Sequence, residues 1–183
     1  MVEVALRALP DASYLRQRLD YNQETGVFLW RARPTEHFLD AAHCGTWNTR
    51  YAGKVAGFIH AEGYRQISID DLKFMAHRIA WLLVRGKPIP RQIDHIDGDP
   101  MNNRIANLRA ATHAENAANS GTRMNNTSGA KGVHFDRHRG KFEAHITHHY
   151  KLYHLGRFDT LEQAIAARRE AAERLHGKFA RHE

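Results

Sequence analysis

Apolar and polar residues recur along this chain with periods that change from segment to segment. Leu15 to Leu19 predicts a short helix, with Asp11 or Ser13 as cap. Thr25-Gly26 marks a turn, and Val27-Phe28-Leu29-Trp30 after it predicts a strand. Lys54 to His60 and Tyr64 to Asp70 predict two more strands around Ala61-Glu62-Gly63. Leu72 to Val84 takes the helical period, with Ala76, Ile79, Ala80 and Leu83 on one face and Gly86, Pro88 and Pro90 as the stop. Far downstream the period is two again. Phe142, Ala144 and Ile146 alternate with Lys141, Glu143, His145 and Thr147, as in a half-buried strand. Val133 and Phe135 predict a strand before it, and Tyr153 and Leu155 one after it. Asp159-Thr160 then opens a helix. Thr160 and Gln163 have capping-box spacing, Leu161, Ala164, Ile165, Ala171, Ala172 and Leu175 form an apolar stripe, and Gly177 ends it.

Between these regions, residues 91–120 are dense in Asp, Asn and His, and residues 121–129 are polar with no apolar period. The expected organisation is therefore a first domain over 1–120, with a compact core at about 91–120, a linker over 121–129, and a second domain over 130–183. The expected fold class is α+β. The chain of 183 residues carries 27 Lys and Arg against 20 Asp and Glu, a net charge of +7, which favours an acidic partner. Residues 121–183 hold 12 of those cations, 7 of the acids and 8 of the 14 histidines. The single cysteine, Cys44, excludes an intramolecular disulfide and a Cys-rich zinc knuckle, and reads as a reduced structural thiol. The start shows no charged region followed by an apolar core, and the longest apolar run, Ile79 to Val84, is far short of the ~20 residues that span a bilayer. No membrane partner and a cytoplasmic location are expected.

The segment from Ile93 to Asn116 carries the candidate chemistry. A short strand ends in Asp94-His95, a tight loop follows with Asp97, Gly98, Asp99 and Pro100, and a second strand is expected near Ile105 to Leu108. Thr112 and Glu115 form a capping box that puts Asn116 in the first turn of a helix. A strand end facing a helix start gives Asp94 and Asn116 as two hard oxygen ligands for one cation, a set that suits Mg²⁺. His95 is placed to deprotonate a water. These are the needs of phosphodiester hydrolysis: an activated water on one side of phosphorus and a neutralised leaving oxygen on the other.

Asp94-His95, Asn107 twelve residues after His95 and Asn116 nine later resemble the HNH (ββα-metal) endonucleases, in the His-Asn-Asn variant of phage and homing enzymes. The resemblance implies a ββα-metal core, His95 as general base, Asp94 and Asn116 as ligands of one divalent ion (Mg²⁺ or Mn²⁺), and Asn107 as the catalytic-site residue that fixes the loop between the strands. Asn116 stands where a His often ligates metal, which argues away from Zn²⁺. The run Ser128-Gly129-Ala130-Lys131-Gly132-Val133, then Gly140 to Ile146, then Leu155 to Thr160 resembles an AP2 DNA-binding domain. That resemblance implies a three-stranded antiparallel sheet on one helix, docked on double-stranded DNA through Lys131, His134, Arg137, Lys141, Glu143, His145 and His154. The expected function is a metal-dependent DNA endonuclease of phage type, monomeric. The alternative is a DNA-binding regulator of AP2 type with a silent nuclease site. Asp97 and Asp99 read as turn formers, His77 as a structural donor to the core helix, His113 as an exposed or phosphate-contacting residue, and Trp30, Trp47 and Trp81 as core residues.

Overall fold

The computed structural model of the chain describes residues 8–122 and 126–181. The N-terminal segment read above for a leader and residues 123–125 of the expected linker lie outside the described residues. By internal packing the chain divides into two units, residues 1–110 and 111–183.

In the first unit, α1 (Ala12–Arg18) runs directly into β1 (Leu19–Tyr21), which pairs antiparallel with β2 (Phe28–Trp30). The helix starts three residues before Leu15, and Leu19 belongs to the strand. The connection contains Gly26 at φ 74°, where a Cβ would meet Arg104 N at 2.6 Å and Asn103 C at 2.7 Å. Only glycine permits this approach, so the hairpin turn lies against the backbone of residues 103–104. Next comes α2 (Ala41–Tyr51), capped by Asp40, whose carboxylate accepts from His43 N at 2.8 Å. The sequence pattern did not announce this helix, and the structure gives the reason: it buries only Cys44, so no apolar stripe marks it. Trp47, on its surface, packs edge-on to Trp30 and under the Arg33 guanidinium rather than in the core.

The strand expected over Lys54 to His60 is shorter, β3 (Phe58–Ile59), and pairs with β4 (Arg65–Ile69). β5 (Leu72–Met75) follows, and α3 (Ala76–Arg85) begins only after it. The predicted helix from Leu72 is thus corrected to a strand followed by a helix. Asp70 and Asp71, both at positive φ (48° and 60°), form a two-residue hairpin that turns Leu72 back along β4. Ile67 and Ile69 of β4, Ile79 of α3, Leu15, Leu19 and Phe28 are at most 1% exposed and form the core. Phe28→Ala is expected to cost about 3–5 kcal/mol, read as a fall in the denaturant midpoint, because its ring is fully buried and the surrounding core relaxes only partly into the space it leaves.

β6 (Gln92–His95) and β7 (Leu108–Ala111) form a two-stranded sheet. The expected strand at Ile105 to Leu108 is displaced: residues Ile105–Asn107 make a 3-10 turn, closed by Asn107 N donating to Arg104 O at 2.9 Å, and the strand starts at Leu108.

The second unit contains α4 (His113–Asn119), then β8 (Val133–Asp136), β9 (Lys141–His148), β10 (Lys151–Phe158) and α5 (Leu161–His176). Both predicted capping boxes form, Thr112 with Glu115 and Thr160 with Gln163. The three strands make an antiparallel sheet in the order β10-β9-β8. Alternation along β9 turns Ala144 and Ile146 inward, against Ala164, Ala171 and Ala172 of α5. Small residues on α5 let helix and sheet approach closely. Ile165 of the predicted stripe and Tyr153 of β10 are exposed instead. A register shift between His154 and Gly156 puts both His154 and Arg157 opposite outward residues of β9, His145 and Glu143. Among the described residues no helix is long and apolar enough to cross a membrane.

Candidate functional site

β6 ends in two adjacent buried polar residues, Asp94 at 3% and His95 at 5% exposure. A burial this complete of a carboxylate and an imidazole demands partners. Asp94 has one in Arg109 of β7: Arg109 Nε and Nη2 both lie 2.7 Å from Asp94 Oδ2. The His95 ring has Asn103 Oδ1 at 3.5 Å from Nε2, the His77 ring edge-on at 5.3 Å between centroids, and the Tyr64 ring at 5.9 Å. Burial lowers the His95 pKa below the ordinary imidazole value of 6.5, and Asn103 and the carboxylates of Asp97, Asp94 and Asp99 offset this in part. The neutral ring, the form that accepts a proton, is therefore favoured at neutral pH. His77 is driven down to about 3, by burial first and then by His95 and Arg78, and its buried Nδ1 has no hydrogen-bond partner among the described residues.

The loop that follows is tied by Asn107. Its Nδ2 donates to Asp97 Oδ1 and to Asn102 O, both at 2.9 Å, and its Oδ1 accepts from Asp97 N at 3.1 Å. Ile96 N donates to Asn107 O at 2.9 Å, so backbone and side chain of one residue close the loop. Asp97 also accepts from Asp99 N and Asn102 Nδ2, which holds its carboxyl below the usual range although burial pushes it up. Asp97 is thereby a turn former, as its spacing suggested. Asn103 is 1% exposed and its own Nδ2 donates to Met101 O at 3.0 Å. Tyr21 OH of β1 donates to Asn103 O at 2.7 Å, and Gly26 packs against the same backbone. The β1-β2 hairpin thus sets the segment that faces His95.

Asn116 lies on α4 in the second unit, half-buried, with its N donating to Thr112 O at 3.0 Å as the helix begins. Among the described residues no group of three or more His, Cys, Asp and Glu is arranged to hold a metal. A carboxylate and an amide oxygen, the donor types of Asp94 and Asn116, are of the kind a hard cation takes together with water.

On the second unit, His134 of β8 and Arg157 of β10 flank Glu143 on the outward face of the sheet. His134 Nε2 is 3.3 Å and His154 Nε2 3.7 Å from Glu143 Oε2, while Arg157 pairs with Oε1. His145 sits opposite His154, and burial with the nearby His134 and His154 keeps it more neutral than usual. Arg137 is exposed in the turn after β8, and Lys141 pairs with Asp159 at 2.6 Å. Lys131 precedes β8 rather than standing on it, and its amine is turned to the carbonyls of Ala118 and Ser120 at 2.6 and 2.5 Å.

Sequence reasoning missed Arg109, Asn103, Tyr64 and Arg157. Arg109 carried one usable signal, its place two residues after Asn107 on the strand paired with β6. The other three become visible only from burial and register.

Residues 74–118 match the family model of an HNH endonuclease. The chain is 39% identical over 107 residues to protein 3.8 of Escherichia phage T7, covering 57% of this chain and 87% of that protein. It is 32% identical over 130 residues to an uncharacterized HNH endonuclease, L560, of Acanthamoeba polyphaga mimivirus, covering 69% of this chain and 66% of that one. No solved structure matches it. The chain belongs to the family of the phage T7 protein, and its residues 74–118 are an HNH endonuclease domain.

Proposed function

We propose that the protein is a metal-dependent endonuclease that hydrolyses double-stranded DNA, with His95 as general base and Asp94 and Asn116 as ligands of one Mg²⁺ or Mn²⁺ ion. The observation that carries this reading is the buried Asp94-His95 pair at the end of β6, its imidazole kept neutral beside Asn103 and its loop closed by Asn107. His95 takes a proton from a water, which attacks phosphorus in line with the departing 3′ oxygen and leaves 5′-phosphate and 3′-hydroxyl ends. Asn103 and Tyr64 orient the ring, and Asn107 keeps the loop from folding over it. The cation, when bound, supplies positive charge to the scissile phosphate and to the leaving oxygen. Arg109 neutralises the Asp94 carboxylate until the cation does so.

The second unit serves in this reading as an AP2-like DNA-binding module acting through His134, Arg137, Lys141, Glu143, His145 and His154. Its outward face carries imidazoles and a guanidinium around one carboxylate, a surface suited to base edges and phosphates. The protein acts as a monomer in the cytoplasm of the host cell. Incubation with supercoiled plasmid tests the whole reading. Nicked or linear product in Mg²⁺ and none in EDTA is expected. A gel shift without any cleavage in Mg²⁺ or Mn²⁺ would instead identify a DNA-binding regulator with a silent site.

A further inference from the structure

The second unit contains a cavity of about 690 Å³, within the ~300–1,000 Å³ range of small-ligand sites. It is lined by Lys131, Arg168, His145, His176, Thr122 and Asn126 among others, and among the described residues no Asp or Glu lines it. Among the described residues, Lys131 and Arg168 meet carbonyl dipoles rather than carboxylates. Lys131 Nζ is spent on the carbonyls of Ala118 and Ser120, Arg181 Nη1 lies 3.4 Å from Asn119 O, and Arg168 Nη1 donates to Arg181 O at 2.9 Å. A carbonyl contributes a partial charge, whereas Lys131 and Arg168 each carry a whole one, so these two remain incompletely neutralised among the described residues.

Arg168 is the most deeply buried of these cations. It is 6% exposed, and its Nε is buried with no hydrogen-bond partner among the described residues. Gly132, at φ 70°, passes close by: a Cβ there would stand 3.3 Å from Arg168 Nε and 2.5 Å from His145 O. The absent side chain leaves the guanidinium edge room. The neighbouring groups register the same excess. Burial, Arg168 and Arg181 lower the Lys131 pKa to about 8. Burial, His148, Arg168, Lys131 and His149 lower that of His176 to about 4. A cluster that disfavours the charged forms of its own lysine and histidine is stabilised by an anion.

We infer that this cavity is a phosphate-binding site, in which Arg168 and Lys131 supply charge and His145, His176, Thr122 and Asn126 supply further hydrogen bonds. Two sources share that chemistry, a phosphate of the nucleic-acid backbone and free inorganic phosphate. Only the first rests on the DNA reading above.

The test uses the full chain and inorganic phosphate at constant ionic strength, with chloride as the balancing anion. The imidazole resonances of His145 and His176 are expected to shift saturably with phosphate in the wild-type protein, and Arg168→Met is expected to abolish the shift. The wild-type titration decides the matter even if that variant does not fold. A flat or linear response, equal to that with chloride, overturns the inference. If the ligand is backbone phosphate, saturating duplex DNA blocks the titration, and the slope of log Kobs against log salt for duplex binding becomes shallower by about 0.9 in Arg168→Met, one lost phosphate contact. If it is free phosphate, duplex and phosphate bind together and the slope is unchanged. Loss of plasmid cleavage by any route leaves the phosphate titration intact, so failure of the nuclease reading and failure of this site are separately visible.

Discussion

His95→Ala is expected to lower the rate of plasmid cleavage in Mg²⁺ by about 10²–10⁴-fold, the usual contribution of a positioned general base, while leaving the duplex affinity measured without divalent metal within a small factor. His95 is the one imidazole of the loop that stands beside Asp94, and Asn103 presents an oxygen to its Nε2 at 3.5 Å. The sign of its pKa shift then matters. Burial penalises the charged ring, so the protonated, inactive form becomes dominant only below 6.5, and the acidic limb of the rate profile is expected to fall below that value. An alanine variant that cuts as fast as the parent removes His95 from the mechanism. A parent whose rate is already halved well above pH 6.5 assigns the proton transfer to another group.

Asp94→Ala is expected to act twice. Cleavage falls to background because a ligand of the cation is gone. Stability falls by about 3–5 kcal/mol because the guanidinium of Arg109, only 13% exposed, is left inside without its carboxylate. The two effects separate in a double variant. Asp94→Ala combined with Arg109→Met removes the stranded charge, so the urea midpoint is expected to recover most of the loss, whereas Mg²⁺-dependent cleavage stays absent. Recovery of cleavage together with stability would show that Asp94 is a structural partner of Arg109 and nothing more. Equal midpoints for parent and Asp94→Ala would show that the ion pair is immaterial to folding.

The letters around β6 were legible because the chemistry is local there. Asp94, His95 and Asn107 are separated by a loop whose turn residues, Asp97 and Gly98, announce themselves. The β8-β9-β10 sheet and α5 were legible for a different reason: the alternation along β9 and the capping box of α5 leave little choice of conformation. Asn103 was hidden because nothing in a run of polar residues distinguishes the one that turns inward; its partner, Tyr21, is 82 positions away. Arg109 and Arg157 were hidden because a charged residue on a strand has a solvated face as its default, and only the register of β7 and β10 brings each to a carboxylate. The hairpin before α3 was hidden by continuity. Leu72 to Val84 is apolar at helical spacing throughout, and the break is made by backbone angles at Asp70 and Asp71 that those residue types do not require. Lys131 was assigned to a strand face by its family position, while its amine is held by helix-end carbonyls.

The contact between Gly26 and the backbone at residues 103–104 sets a lower bound on any minimal catalyst cut from this chain. A fragment trimmed to residues 74–118, the span of the family match, retains every proposed reacting group yet discards Tyr21 and the glycine turn that hold Asn103 in place. The smallest competent piece must begin ahead of Tyr21, and an insertion or a bulkier residue in the 22–27 connection amounts to a change in the reaction centre made from some eighty positions upstream.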